Sequence, residues 1–131
     1  MIGLDTDVLV RYLAQDDPVQ SVKATDLIER RLSKRDPGFM SIVAMAETVW
    51  VLQRSYGLDD PTVAAVIERT LQADSLIVEN EQQVFAATVA LREGRGSFAD
   101  ALIGALGTRA GCRTTMTFDQ RASRLSSFEL L

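Results

Sequence analysis

The chain has 131 residues, 47% of them hydrophobic and 24% charged, which excludes a disordered chain and predicts a single folded domain over residues 1–131. No apolar run approaches the roughly 20 residues of a membrane span, and the start lacks the basic segment of a signal peptide, so we expect neither. The net charge of −4 argues against a basic DNA-coating protein, and the absence of histidine excludes a triad with a histidine base and disfavours zinc or non-haem iron.

In the first half of the chain, short apolar runs alternate with segments of helical spacing. The run "MIGL" predicts a first strand, and "TDVLVRYLAQDD" predicts a helix because its apolar residues share one helical face. Residues 18–34 predict a second helix capped by Asp17, and "FMSI" predicts a second strand. A third helix is expected over residues 43–56, ending at Gly57.

The second half of the chain continues this alternation. Asp60 and Pro61 begin a helix that reaches about residue 72, and "LIVE" predicts a third strand. Helices are expected over residues 81–93 and 97–111, and "RTTMTF" and "FELL" predict the last two strands. Strands that alternate with helices indicate an α/β fold with a small, mainly parallel sheet of four to five strands.

Four acidic residues occupy positions from which their side chains could line one crevice. Asp5 follows the first predicted strand and Asp119 follows the fourth, and the carboxyl ends of parallel strands lie at one edge of a sheet. Glu47 interrupts the apolar segment "SIVAMAETVWVL", and Asp100 lies in the first turn of the helix that contains "FADALIGAL". We therefore expect all four carboxylates to face a crevice at the carboxyl edge of the sheet.

Glu47 is the only charged residue in residues 41–52, where the pattern predicts a buried helix face. An unpaired buried charge is costly, so this carboxylate should be neutralised, paired or bound to a metal. The structural alternatives are an exposed stripe on a half-buried helix, or an ion pair with Arg11 or Arg54.

The other candidates also have structural explanations. Asp5 and Asp119 could each cap the helix that follows, and Asp100 could be a first-turn acid that the helix dipole favours. Thr6 and Thr117 flank the two outer acids, where their hydroxyls could orient a carboxylate or bind a metal-bound water. A helix start and a β-branched strand residue explain the same two threonines equally well.

Metal binding would explain why carboxylates gather at one place. Carboxylates close together repel one another, and a divalent cation relieves that repulsion. Oxygen-only ligands suit Mg²⁺ or Mn²⁺, which bind substrate phosphates and activate a water molecule. The acidic set therefore predicts Mg²⁺-dependent hydrolysis of a phosphodiester, with Mn²⁺ as the alternative ion.

These segments resemble a PIN domain, and in particular the VapC-type toxin ribonucleases of bacterial toxin–antitoxin pairs. The resemblance runs along the whole chain through "IGLDTDVLVRYL", "SIVAMAETVWVL", "FADALIGAL" and "TFDQ". It implies a three-layer α/β/α sandwich and a Mg²⁺-dependent endoribonuclease, with Asp5 and Asp100 as the most direct metal ligands. The positions that match the family's acidic and polar site residues are Asp5, Thr6, Glu47, Asp100, Thr117 and Asp119.

The resemblance also implies partners. Similar toxins cut transfer or ribosomal RNA and pair as homodimers. They are silenced by a VapB-type antitoxin, and we expect the protein to contact DNA only through that antitoxin. The single cysteine, Cys112, excludes an internal disulfide and suits a reducing cytoplasm, where we expect the protein. One position departs from the family pattern: Asp7 stands where the family usually has Asn, and an ionised Asp cannot donate a hydrogen bond.

Two other functions fit parts of the sequence. "LDTDVL" also resembles the first motif of haloacid dehalogenase-type phosphatases, but both lysines precede residue 35 and Glu47 would have no role. A catalytically silent interaction module is the second, since Trp50, Val51 and Phe85 could form an interface patch. Mg²⁺-linked stabilisation would separate such a module from a metal enzyme.

Overall fold

The computed structural model describes residues 1–131, in which helices and short strands alternate. The strands are Ile2–Gly3 (β1), Gly38–Met40 (β2), Leu76–Val78 (β3), Thr115–Thr117 (β4) and Phe128–Leu130 (β5). The α-helices are Thr6–Ala14 (α1), Gln20–Asp26 (α2), Ile42–Arg54 (α3), Asp60–Gln72 (α4), Glu81–Arg92 (α5) and Phe98–Ala110 (α6). The predicted α/β fold is confirmed.

All five predicted strands are present, and every strand pair is parallel. Their hydrogen bonds join β1, β2 and β3 into one sheet in that order, and β4 and β5 into a second sheet. The strands thus form a group of three and a group of two, where the sequence predicted one sheet of four to five. The chain divides into two compact units, Met1–Glu81 and Gln82–Leu131, and each unit contains one of the sheets.

The first unit is built around β2, the central strand of its sheet. A methyl group at Gly38 would lie 2.8 Å from the Cδ1 atoms of Leu4 and Leu32, so any larger residue at the start of β2 would force these two side chains to move. Leu4 and Leu32 are both buried, as are Leu9 and Val10 on the inner face of α1. Because Gly38 has no side chain, Leu4 and Leu32 can pack against the backbone of β2 and fill the core there.

Most helices of the chain begin at a polar side chain that accepts a backbone N–H. Asp5, Ser41, Asp59 and Ser97 cap α1, α3, α4 and α6 in this way, and the predicted cap at Ser97 is confirmed. The Oδ1 atom of Asp17 accepts N–H groups at the start of α2 at 3.0 and 2.7 Å, as expected of a cap. These caps fix where each helix starts after its strand or loop.

Two helix ends differ from the prediction. The helix predicted over residues 18–34 ends in a π-helical turn, Leu27–Arg31, because the N–H of Leu32 bonds the carbonyl of Leu27, five residues earlier, at 2.9 Å. Leu32 is then extended and buried, which stops the helix. α3 ends at Arg54, so Gly57, with φ of 65°, belongs to the turn that follows and does not close the helix.

In the second unit, α6 lies close to the segment that leads into β5. A methyl group at Gly104 would collide with Ser127 Oγ and would lie 2.7 Å from Cε2 of Phe128. Gly111, with φ of 100°, closes α6 in the left-handed conformation that favours glycine. None of the helices has the length and apolar character needed to cross a membrane.

Candidate active site

Three of the six predicted site residues line one open cleft in the first unit. Asp5, Thr6 and Glu47 face this space of about 610 Å³, and Asp7 and Arg11 line it as well. We call it the acidic cleft. α1 begins directly after β1, and α3 begins directly after the parallel strand β2, so both helices leave the same edge of the sheet. This is the carboxyl edge, where α/β folds collect their sites.

Asp5 caps α1 and still presents an oxygen without a partner. Its Oδ1 accepts a hydrogen bond of 2.8 Å from the backbone N–H of Thr6, so the capping explanation is correct. Its Oδ2 accepts no hydrogen bond from the protein, and the residue is exposed. Because a carboxylate has two oxygens, capping and metal binding can use different atoms of the same side chain.

Glu47 is exposed, so the expectation of a buried carboxylate is wrong. α3 buries a different face, formed by Ala44, Met45, Thr48, Val49 and Leu52. The apolar run around Glu47 is not all core, since the side chains of Val43 and Trp50 are 75% and 60% exposed. Arg54 lies over the ring of Trp50 at 5.8 Å, and Arg11 binds other residues, so neither arginine pairs with Glu47. Glu47 therefore lies on an exposed stripe of α3 that faces the acidic cleft.

A polar network in the wall of the acidic cleft holds Arg11 in place. The Nε of Arg11 donates to Gln20 at 2.9 Å, and its Nη1 donates at 3.3 Å to both Asp16 and the hydroxyl of Tyr56. The Tyr56 hydroxyl in turn donates to Asp16 at 2.6 Å. No local pattern signals this network, because Tyr56 and Asp16 are 40 positions apart in the chain.

Asp100 lies in the first turn of α6, as predicted. Its backbone N–H donates to Ser97 Oγ at 3.1 Å, while its half-buried carboxylate accepts no hydrogen bond. The helix dipole favours a negative charge at this place, so the structural explanation accounts for the residue type. The same geometry leaves both carboxylate oxygens without a protein partner.

Thr117 and Asp119 are joined by a hydrogen bond at the end of β4. The backbone N–H of Asp119 donates to Thr117 Oγ1 at 3.0 Å, so this hydroxyl fixes the turn and makes no hydrogen bond to the carboxylate. The Oδ1 of Asp119 accepts the backbone N–H of Arg121 at 2.8 Å, directly before the 3-10 turn Ala122–Arg124. The other oxygen of Asp119 is left for a ligand.

The model of the PIN domain family matches residues 2–127. The chain belongs to the PIN domain family. The match covers both compact units and all six predicted site positions, and it leaves the phosphatase interpretation of "LDTDVL" without support. A search of curated proteins found no match. The match confirms the resemblance to a PIN domain. Because PIN domains are generally metal-dependent nucleases, the acidic residues lie in a nuclease fold.

The donors in the acidic cleft of this PIN domain fit a magnesium ion. Mg²⁺ keeps several water ligands and is usually held by one or two carboxylates together with substrate phosphate. Asp5 and Glu47 supply two carboxylates to one cleft, and no nitrogen or sulfur ligand competes. No group of three or more His, Cys, Asp or Glu side chains is arranged to hold a metal ion. That all four acids share one ion stays a prediction.

Asp7 of this PIN domain also faces the acidic cleft. The side chain is exposed and makes no hydrogen bond or ion pair. It therefore adds a further negative charge to the cleft that Asp5 and Glu47 line. The added charge strengthens the attraction of the cleft for a cation and its repulsion of an unshielded phosphate.

The Arg11 network is expected to make the stability of this PIN domain depend on pH. The hydrogen bond from Tyr56 holds the pKa of Asp16 below its ordinary value. Since the folded pKa is below the unfolded one, this stabilisation is present above the unfolded pKa and is lost as the pH falls through the folded pKa. We expect Tyr56→Phe to melt at a lower temperature than the wild type at neutral pH.

The difference in melting temperature between Tyr56→Phe and the wild type should shrink as the pH falls from about 6 to about 3. Thermal unfolding of both proteins across this range, followed by circular dichroism, measures it. A difference that stays constant with pH would mean that the hydroxyl acts through packing and not through the charge of Asp16.

Proposed function

We propose that this PIN domain is a Mg²⁺-dependent endoribonuclease toxin of the VapC type. The observation that carries the proposal is the acidic cleft, where Asp5 and Glu47 face one space beside Thr6 in a fold whose members are generally metal-dependent nucleases. The order of the four sequence segments along the chain supports the narrower toxin assignment. The substrate class is single-stranded or looped RNA, whose backbone is accessible, with transfer or ribosomal RNA as the expected target.

Each acidic residue has a distinct part in the proposed reaction. Asp5 would hold the ion with the carboxylate oxygen that does not cap α1, and Glu47 faces the same cleft from α3. Asp100 would be the second direct ligand, and Glu47 and Asp119 would complete the negative charge around the ion or bind it through water. When bound, the ion lowers the pKa of a water molecule and neutralises charge on the phosphate. In the hydrolysis, a bond would form between the water oxygen and phosphorus as the bond to the leaving oxygen breaks, with the proton that the water loses passing to solvent and the leaving oxygen taking up a proton from solvent.

We also propose the partners that the resemblance implies. The toxin forms a homodimer and is neutralised by a VapB-type antitoxin, and it contacts DNA only through that antitoxin. Exposed apolar side chains support the presence of a protein partner, since Val43, Trp50 and Phe85 are each more than half exposed. These same residues favour the second candidate function, an interaction module without catalysis.

Removing divalent ions tests the proposal directly. We expect a fluorescently labelled RNA to be cut in Mg²⁺ or Mn²⁺, to stay intact in EDTA, and to be cut again when the ion is restored. Mg²⁺ should also raise the melting temperature, because an ion that binds only the folded state stabilises it by about 2.7 kcal/mol at 100 times its dissociation constant. Gel electrophoresis and thermal unfolding measure the two effects.

The same experiment separates the two candidate functions. RNA incubated without the protein controls for spontaneous and contaminating cleavage. An interaction module would leave the RNA intact in every buffer and would show no change of melting temperature with Mg²⁺. That pair of results would refute the nuclease proposal.

A further inference from the structure

A second groove, smaller than the acidic cleft, runs between α1 and α2 in the first unit. It has a volume of about 340 Å³, and its charged lining residues are Arg11, Lys23, Arg31 and Asp7. We call it the basic groove. Three cations face a single carboxylate there, in a chain whose net charge is −4. Such a local excess of positive charge attracts a polyanion.

The basic groove and the acidic cleft are adjacent. Asp7 and Arg11 line both of them, so the two spaces meet at these side chains. A strand that lies in the basic groove is thereby led towards Asp5 and Glu47. One end of the basic groove therefore opens into the candidate active site.

Two of the three cations of the basic groove have no acidic partner, and Arg11 pairs only with Asp16. Lys23 and Arg31 are exposed and form no ion pair with the protein. Arg30, the neighbour of Arg31, lies outside the groove and pairs with Asp26 at 3.8 Å. Arg11 is fixed through Nε and Nη1, and its Nη2 donates to no protein group. A guanidinium held in this way loses little conformational freedom when it binds a phosphate.

We infer that the basic groove binds the phosphate backbone of the RNA strand that is cut in the acidic cleft. The inference rests on the proposed nuclease function and names where the flanking part of its substrate lies. Lys23 and Arg31 neutralise phosphates along the groove, and Arg11 binds a phosphate where the groove meets the cleft. Ala24 and Leu27 give the groove an apolar floor for the sugars.

A matched pair of double variants tests the inference. Lys23→Gln/Arg31→Gln removes one lysine and one arginine from the groove, whereas Arg30→Gln/Lys34→Gln removes the same two residue types outside it. Both are made in the Asp5→Asn background, so that bound RNA is not cut. The probe is a fluorescein-labelled single-stranded RNA of mixed sequence, and anisotropy gives its affinity over a series of NaCl concentrations.

The groove variant should lose salt dependence as well as affinity. For single strands the slope of log affinity against log salt is about −0.7 for each neutralised phosphate, so the slope should become shallower by about 1.4 in the groove variant. The control variant should keep the parental slope. Thermal unfolding of both variants verifies that exposed substitutions leave the fold unchanged.

Each remaining outcome overturns the inference. A parental slope in the groove variant would mean that the groove serves another ligand, such as a protein partner. An equal loss in both variants would reflect net charge and not the groove. If the unmutated protein neither binds nor cuts RNA, the proposed function itself is wrong. The cleavage assay is therefore carried out first, before the variants are compared.

Discussion

Replacing Asp5 by asparagine is expected to reduce RNA cleavage by more than about a hundredfold, since even the groups that orient metal ligands are worth 10–100-fold in activity. The fold should be unaffected. Asn accepts the N–H of Thr6 as well as Asp does, because the two residues are equally good N-caps. The neutral amide also relieves repulsion with Glu47 and Asp7, which line the same cleft. Cleavage rates and melting temperatures of the two proteins test both statements.

Two comparison variants make the Asp5→Asn result specific. Asp74→Asn changes an exposed acid outside the acidic cleft and should leave the cleavage rate unchanged. Asp5→Ala removes both the cap and the proposed ligand, so it should lose activity and about 1 kcal/mol of stability. If Asp5→Asn cuts RNA at the wild-type rate, Asp5 is a helix cap only and the site is wrongly assigned.

Periodicity predicted the elements of this fold because most of them are decided locally. α6 begins directly after its predicted cap, Ser97, α4 begins at Asp60 as predicted, and all five strands overlap the predicted strand segments. How strands pair is not a local property. The hydrogen bonds that place Phe128–Leu130 beside Thr115–Thr117, and not beside β1, depend on tertiary contacts that no single segment encodes.

Glu47 shows where pattern analysis of the site fails. A charge inside an apolar segment predicts burial only if the surrounding apolar residues are core, and Val43 and Trp50 are not. The helix period distinguishes faces but does not say which of two apolar faces is buried. The position of Glu47 in the acidic cleft therefore follows from the strand order and the caps, and its exposure could be learned only from the packed structure.

The Arg11 network and the basic groove were beyond sequence analysis for a related reason. Arg11, Asp16 and Tyr56 belong to three segments, and only the packing of α1 against the end of α3 brings them together. Lys23 and Arg31 lie on one helical segment, yet many exposed lysines and arginines have such spacing. Their significance depends on the neighbouring acidic cleft, which exists only in the folded chain.

Replacing Phe98 by alanine is expected to lower the free energy of unfolding by about 3–5 kcal/mol, the usual cost of a buried Phe→Ala change. The side chain is 1% exposed and is the first residue of α6, two positions before Asp100. Losing it leaves a cavity where the helix begins, so the first turn that positions Asp100 should also loosen. Urea denaturation measures the stability, and the slope of the transition shows whether the folded state stays compact.

The second unit provides a matched control for Phe98→Ala. Phe118 is 81% exposed, so Phe118→Ala removes the same atoms with little change in burial and should alter the stability by less than about 0.5 kcal/mol. Phe98→Leu keeps most of the apolar volume and should lose about 1.5 kcal/mol or less, which allows cleavage to be measured in a folded protein. Equal losses in Phe98→Ala and Phe118→Ala would contradict the burial of Phe98. A large loss of stability in Phe98→Ala alone, together with reduced cleavage by Phe98→Leu, would show that the position of Asp100 depends on the packing of Phe98.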